Sequence, residues 1–331
     1  MTDFLKRYGW AVALALFLLT AFNIFEDRPE SAPVAEASVM PSSARHAADT
    51  SAVIESVPPQ RVSPVRITGD LDFAGEPVPL SDQDIRERLD REILVNTFWH
   101  SNTLFTIKKA NKYFPSIEQV LRAEGLPLDF KYLAIAESGL DNVTSPAGAK
   151  GFWQFMKPTA QEYGLEVTDE VDERYDYIKS AHAACQYLKD AKDDLGSWTL
   201  AAAAYNMGQP RLEKRLEEQG VDSYYDLFLN AETARYLYRI LAYKLVFEDP
   251  QMFGFHLTPS DLYTPIASRE VEVTETIDDL AAFALEQGTN YKMLKTLNPW
   301  LTSDRLGVAA GDAYVLRLPE SDEAADAPAE E

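Results

Sequence analysis

The chain is predicted to be mainly α, with a small β-α-α-β module near its C-terminus. Three observations carry this. From residue 81 to 265, apolar residues recur at helical spacing in one segment after another. Strand signals are sparse over the same stretch. Beyond residue 270, alternation at Val271 and Val273, and again at Tyr314, Leu316 and Leu318, brackets two short helical patterns.

The elements follow in chain order. Tyr8–Phe25 is a mostly apolar run of about 18 residues, near the lower limit for a membrane span. Lys6 and Arg7 precede it, and Glu26 and Asp27 follow, so a span here would leave the N-terminus cytoplasmic and export the rest. Two readings stand: an uncleaved membrane anchor over 1–25, and a cleaved signal peptide. The bulky or charged Asn23-Ile24-Phe25-Glu26 favours the anchor. Residues 26–80 are rich in Pro, Ser, Ala and charge without sustained periodicity, and read as a disordered linker.

A helical domain is expected over 81–265. Ser81 can cap its first helix, with Asp82 and Asp84 in the first turn. Ile85, Leu89, Ile93, Leu94 and Phe98 supply the apolar face. The pattern of Lys108–Phe114 stops at Pro115, Ser116 restarts a helix, and Pro127 opens the next. Further helices are expected at about 178–193, 198–205, 210–219 and 231–247. The module spans 270–319, and an acidic tail fills 320–331.

Composition excludes several classes. The chain carries 53 Asp and Glu against 31 Lys and Arg, a formal net charge of -22 over 331 residues. Phosphate backbones need a basic face, so nucleic acid is not an expected partner. The lone Cys185 rules out an internal disulfide and a cysteine-rich zinc site, and its neighbours Ala181, Ala184 and Leu188 make it a buried apolar residue. His100, His182 and His256 show no metal-ligand spacing, and no metal or cofactor is expected.

One stretch concentrates chemistry. The apolar Phe130–Ala136 segment runs into Glu137, and a turn-rich loop with Asn142, Pro146, Gly148 and Gly151 leads to Trp153-Gln154-Phe155-Met156. An acid ending an apolar helix sits where burial raises its pKa. Small residues behind it let backbone approach a ligand, and an amide among aromatics suits a sugar. Asp172, Glu173 and Asp176 read as structural, with Arg174 pairing among them. Trp153 and Phe155 read as core, and Met156 as either core or site.

Glu137-Ser138, then Ser145-Pro146-Ala147-Gly148-Ala149-Lys150-Gly151-Phe152-Trp153-Gln154-Phe155-Met156, resembles the lytic transglycosylase domain of the lysozyme-like superfamily, in the layout of the membrane-bound lytic transglycosylase D type. Asp172-Glu173-Arg174-Tyr175-Asp176, Ala201–Gly208 and Glu232–Tyr236 follow in that family's order. The resemblance covers 81–247. It departs at Asp141-Asn142, where the family has Asn-Pro, and at Met207, where it has Ala.

The resemblance implies a lysozyme-like helical domain that cleaves the MurNAc-GlcNAc β-1,4 bond of peptidoglycan without metal or cofactor. Glu137 would act first as acid and then as base, closing a 1,6-anhydro ring on the sugar's own C6 hydroxyl. Ser145, Gln154, Met156, Tyr205, Asn206 and Glu232 match positions that hold the glycan. Glu232 also stands where a helix N-terminus alone would favour an acid. The module resembles the lysin motif through Leu297-Asn298-Pro299 and Gly311–Pro319, although Thr274-Glu275-Thr276 replaces its usual start. Glycan binding and a purely structural role both stay open for it. The expected setting is the cell membrane, with the catalytic domain in the periplasm or cell envelope. Two alternatives remain: a goose-type lysozyme hydrolysing the same bond, and a non-catalytic peptidoglycan-binding scaffold.

Overall fold

A computed structural model describes residues 64–320. The apolar run at 8–25, most of the expected linker and nearly all of the acidic tail lie outside the described residues. Among the described residues no helix is long and apolar enough to cross a membrane.

The structure is mainly α, as the sequence predicts. The linker expected over 26–80, however, gives way to ordered chain before its end. β1 (Asp72–Phe73) and β2 (Glu76–Pro77) pair antiparallel around a turn in which Ala74 and Gly75 both take positive φ. Phe73 is fully buried, edge-on to Phe130 at 5.3 Å, and this apolar burial fixes the segment. Glu76 then caps another element. Its carboxylate accepts the amides of Trp198 (2.6 Å) and Thr199 (2.9 Å), where free N–H groups at a helix start favour an anion.

α1 (Gln83–Phe98) is capped by Asp82 rather than Ser81: the Asp82 carboxylate accepts the amides of Asp84 and Ile85. α2 (His100–Ala123) runs through Pro115 without stopping. A proline inside a helix costs a backbone bond, but Ile107 and Ala110 before it and Ile117, Val120 and Leu121 after it bury on one face. Tertiary packing therefore overrides the local signal. A 3₁₀ turn (Leu128–Phe130) leads into α3 (Lys131–Ser138). α4 (Lys157–Glu162), α5 (Tyr177–Leu195), α6 (Trp198–Met207), α7 (Gln209–Gln219) and α8 (Thr233–Glu248) complete the domain. α8 packs against α1, α3 and α6 and carries the fully buried Leu237, Ile240, Leu241 and Val246 into the core.

β3 (Ser268–Val273) and β4 (Tyr314–Pro319) pair antiparallel, Ser268 opposite Pro319 and Val273 opposite Tyr314. α9 (Leu280–Glu286) and α10 (Tyr291–Leu297) lie between them in sequence. Leu280, Ala284, Leu294, Leu316 and Leu318 form the module's own core. Asn298 stitches it: its amide donates to Leu294 O and Arg317 O and accepts from Arg317 N.

The segment 165–172 belongs to both cores. Leu165 and Val167 bury in the helical domain, while Val171, 1% exposed, buries in the module. Backbone bonds run from Asp172 N to Trp300 O (2.8 Å) and from Thr302 N to Glu170 O (2.9 Å). The Glu170 carboxylate accepts Gly307 N at 2.7 Å and pairs with Arg305 at 3.0 Å, and the Tyr314 hydroxyl reaches Glu166 at 2.9 Å. The module is thus docked against the domain rather than strung behind it. Glu170→Ala should lower stability by about 1 kcal/mol, since a charge-assisted bond to a backbone amide is lost, and should speed hydrogen exchange at Gly307. Denaturant melts and exchange both unchanged would contradict the docking.

Candidate active site

Glu137 lies in the last turn of α3, which Gly139 ends in the left-handed conformation. Leu140 follows with φ 59 and is fully buried. A branched side chain in that region is strained, and packing holds it there. The chain therefore turns away from Glu137 at once. Asp141 points elsewhere and pairs with Lys109 at 2.6 Å.

Burial pushes the Glu137 carboxyl up to about 7, and nearby Glu232 adds to the rise. The Tyr236 hydroxyl, which donates to Glu137 Oε1, and the charge of Arg239 oppose it. α8 supplies Tyr236 and Arg239, and Glu232 is the residue just before it. Tyr236 is almost completely buried and its own hydroxyl is pushed far above its ordinary range, by burial first and by Glu137 next. It therefore stays a proton donor to the carboxylate at any working pH. Sequence reasoning missed Tyr236 and Arg239 as site residues. The available signal was a tyrosine on the apolar face of a helix, since a buried hydroxyl needs a partner.

The residues expected at the site fall into two groups. Tyr205 and Glu232 lie within electrostatic reach of Glu137, and Asn206 adjoins Tyr205 at the end of α6. Burial raises the Tyr205 hydroxyl well above its ordinary value, with Glu137 the next cause, and it donates to Trp153 O at 2.7 Å. Asn206 Oδ1 accepts from Thr233 Oγ1 at 2.8 Å, tying the end of α6 to the start of α8. Glu232 stands exposed just before α8.

Ser145, Gln154 and Met156 belong to the loop that follows α3. The Ser145 hydroxyl accepts Ala149 N at 3.0 Å, within a turn. Gln154 sits at φ 50 and its amide donates to Gly151 O (2.7 Å) and Val143 O (3.1 Å). These groups build the loop. Met156, 43% exposed, is not core, whereas Trp153 and Phe155 are buried, as read from the sequence.

A buried ion pair holds this loop against the shared segment. Arg174 meets Asp172 through two bonds, Nε to Oδ1 at 2.8 Å and Nη2 to Oδ2 at 2.7 Å, and its Nη1 reaches Gly148 O and Phe155 O. Burial would raise the Asp172 carboxyl, but Arg174 and Lys150 outweigh it and hold it below the usual range. Gly151 passes so close that a Cβ there would lie 1.8 Å from Arg174 O, so only glycine fits. Because Asp172 N is bonded to Trp300 O, the module, the ion pair and the loop form one connected frame.

Comparison with known proteins follows this geometry. Residues 116–228 match the transglycosylase SLT domain, and residues 269–322 match the soluble lytic transglycosylase C-terminal LysM-like domain. The chain is 29% identical over 245 residues to membrane-bound lytic murein transglycosylase D of two Escherichia coli strains, K12 and O6:H1, covering 72% of this chain and 52% of each relative. It thus spans about half the length of those relatives. Solved structures of the 70 kDa soluble lytic transglycosylase of Escherichia coli (17% identity, 54% of this chain, 32% of that chain, TM-score 0.38) and of lytic transglycosylase Slt of Pseudomonas aeruginosa (18%, 54%, 33%, TM-score 0.36) also align in part. By the two family matches, the chain carries an SLT transglycosylase domain followed by a LysM-like domain.

The raised carboxyl has a thermodynamic consequence. Between pH 4.5, the ordinary value, and about 7, the folded chain holds a proton that the unfolded chain has lost, so stability falls as pH rises through that window. Glu137→Gln removes the loss. The variant should match wild type near pH 4 and melt at higher temperature at pH 8, by roughly 1–3 kcal/mol of stability. A difference that does not change with pH would refute the raised carboxyl.

Proposed function

We propose that the chain is a peptidoglycan lytic transglycosylase working in the cell envelope, with Glu137 as its acid and then its base. One observation carries this reading: a carboxyl raised to about 7 by burial, hydrogen-bonded by Tyr236, inside an SLT domain. A general acid is most effective when its pKa lies near the working pH.

In the proposed reaction Glu137 gives its proton to the bridging oxygen of the MurNAc-GlcNAc bond. The glycosidic bond breaks and the GlcNAc hydroxyl leaves. The acetamido group of the N-acetylmuramic acid ring supports the electron-poor anomeric carbon. The Glu137 carboxylate then takes the proton of that sugar's C6 hydroxyl, whose oxygen closes the 1,6-anhydro ring. The proton count on Glu137 is restored and no water is consumed. Tyr236 and Arg239 stabilise the carboxylate formed between the two steps. Tyr205, Asn206, Glu232 and Met156 are the proposed glycan-facing set, with Ser145 and Gln154 shaping the loop that carries Met156. Relatives bearing the name lytic murein transglycosylase support the substrate class. Hydrolysis is the competing reading, and it has one observation in its favour: a second carboxylate, Glu232, acts electrostatically on Glu137.

Product analysis separates the two. Digests of sacculi should yield muropeptides about 18 mass units lighter than hydrolysed ones, without ¹⁸O from labelled water, because the C6 hydroxyl replaces water. Uptake of ¹⁸O would establish hydrolysis. Glu137→Gln should lose about 10²–10⁴-fold or more of the rate while staying folded. Wild-type activity in that variant would overturn both readings.

A further inference from the structure

A cleft of about 570 Å³ opens between the helical domain and the LysM-like module, and Glu137 does not line it. That volume suits a small ligand. Lys112 of α2 stands on one wall and Arg317 of β4 on the other. Among the described residues neither takes part in an ion pair. Each lies instead over a tyrosine ring, Lys112 at 5.0 Å from the Tyr113 centroid and Arg317 at 5.9 Å from that of Tyr177. The two rings meet edge to face at 5.2 Å, and Phe152 closes the group at 4.9 and 5.4 Å. Lys295 adds a third cation, its ammonium held by the carbonyls of Leu301 and Ser303. The one carboxylate on the walls, Asp176, is engaged by the amides of Ile178 and Lys179. His182, also on the wall, is bonded to Glu124. In a chain of net charge -22, this cleft is locally cationic.

We propose that this interdomain cleft is a second ligand site, which takes a short peptide through its free carboxylates. The guanidinium of Arg317 offers a planar fork to a carboxylate, and Lys112 offers a point charge on the facing wall. The three rings supply an apolar floor for the body of the ligand. A peptide is chosen over other carboxylates because, on the reading proposed above, the substrate strands carry peptides. Occupancy would be felt at the candidate active site. Tyr177 O accepts the indole N–H of Trp153 at 3.2 Å, and Trp153 O accepts the hydroxyl of Tyr205, the neighbour of Glu137.

The full chain is titrated calorimetrically with acetyl-Ala-Glu-Ala, which bears two carboxylates, with acetyl-Ala-Gln-Ala-amide, which bears none, and with inorganic phosphate. The acidic peptide should bind saturably at one site, and the neutral one at least about tenfold more weakly, as expected for loss of a charge-assisted bond. Arg317→Ala and Lys112→Ala should each weaken the acidic peptide about tenfold, with Arg317→Lys restoring part. Amide resonances of Phe152 and Tyr177 should shift on binding. Equal binding of both peptides, no saturable binding, or affinity indifferent to both variants would overturn the site. Phosphate bound as tightly as the acidic peptide would overturn its assignment to peptides. Should Arg317→Ala fail to fold, Lys112→Ala on the other wall decides. Peptide binding without glycan cleavage would sink the proposed function alone, and cleavage without peptide binding would sink this site alone.

Discussion

A half-buried carboxyl group whose ionisation is made costly by its surroundings is the constraint around which the rest is arranged. Glu137 lies at the C-terminal end of α3, where the helix dipole also disfavours a negative charge. Burial without partners would make ionisation prohibitive, and full pairing would make the group a plain carboxylate. The structure sits between these limits. Tyr236 gives one hydrogen bond and Arg239 a charge at longer range, while burial and Glu232 push the other way. The outcome is a group that can both lose and regain a proton near neutral pH. α8 and the residue that precedes it hold these neighbours, and the burial of α8 against α1, α3 and α6 fixes them relative to Glu137.

The second constraint is the route of the chain after Glu137. Two consecutive left-handed residues take it out of the helix, and the loop that follows is anchored at its far end by the buried Phe152, Trp153 and Phe155. Its polar part takes its shape from outside, through Arg174. Asp172 and Arg174, 3% and 4% exposed, form a pair whose worth lies less in stability than in geometry, because desolvation offsets most of its attraction. Arg174 directs its remaining donor to loop carbonyls, and Gly151 lets the loop backbone come against that of Arg174. The LysM-like module enters here. It holds the backbone of Asp172 and buries Val171, so it supports the wall of the candidate site whatever it binds.

Much of this was legible in the sequence where period and local chemistry agreed. α5, α6, α7 and α8 lie close to their expected ranges, and the pairing of Arg174 with one of its neighbouring acids, which the structure shows to be Asp172, followed from residue types alone. The errors fall where tertiary contacts outweigh local signals. Pro115 reads as a stop, yet the apolar face on both sides carries α2 through it. The hairpin at 72–77 was hidden in a polar, proline-containing stretch because one residue, Phe73, supplies most of its burial. Gln154 and Ser145 illustrate a further limit. Their spacing marks them as important, but only coordinates show their polar groups turned to the loop's own backbone. Tyr236 was invisible as a partner of Glu137 because 99 residues separate them.

The central claim is that Glu137 is a half-buried acid with a raised pKa, tuned by Tyr236. It is tested most directly by following the side-chain carboxyl carbon of Glu137 by ¹³C NMR as pH is raised, in wild type and in Tyr236→Phe. Wild type should titrate near 7. Losing the hydroxyl that favours the charged form should move the variant higher. A wild-type midpoint near 4.5, the ordinary value, or a variant that titrates lower than wild type, would contradict the account.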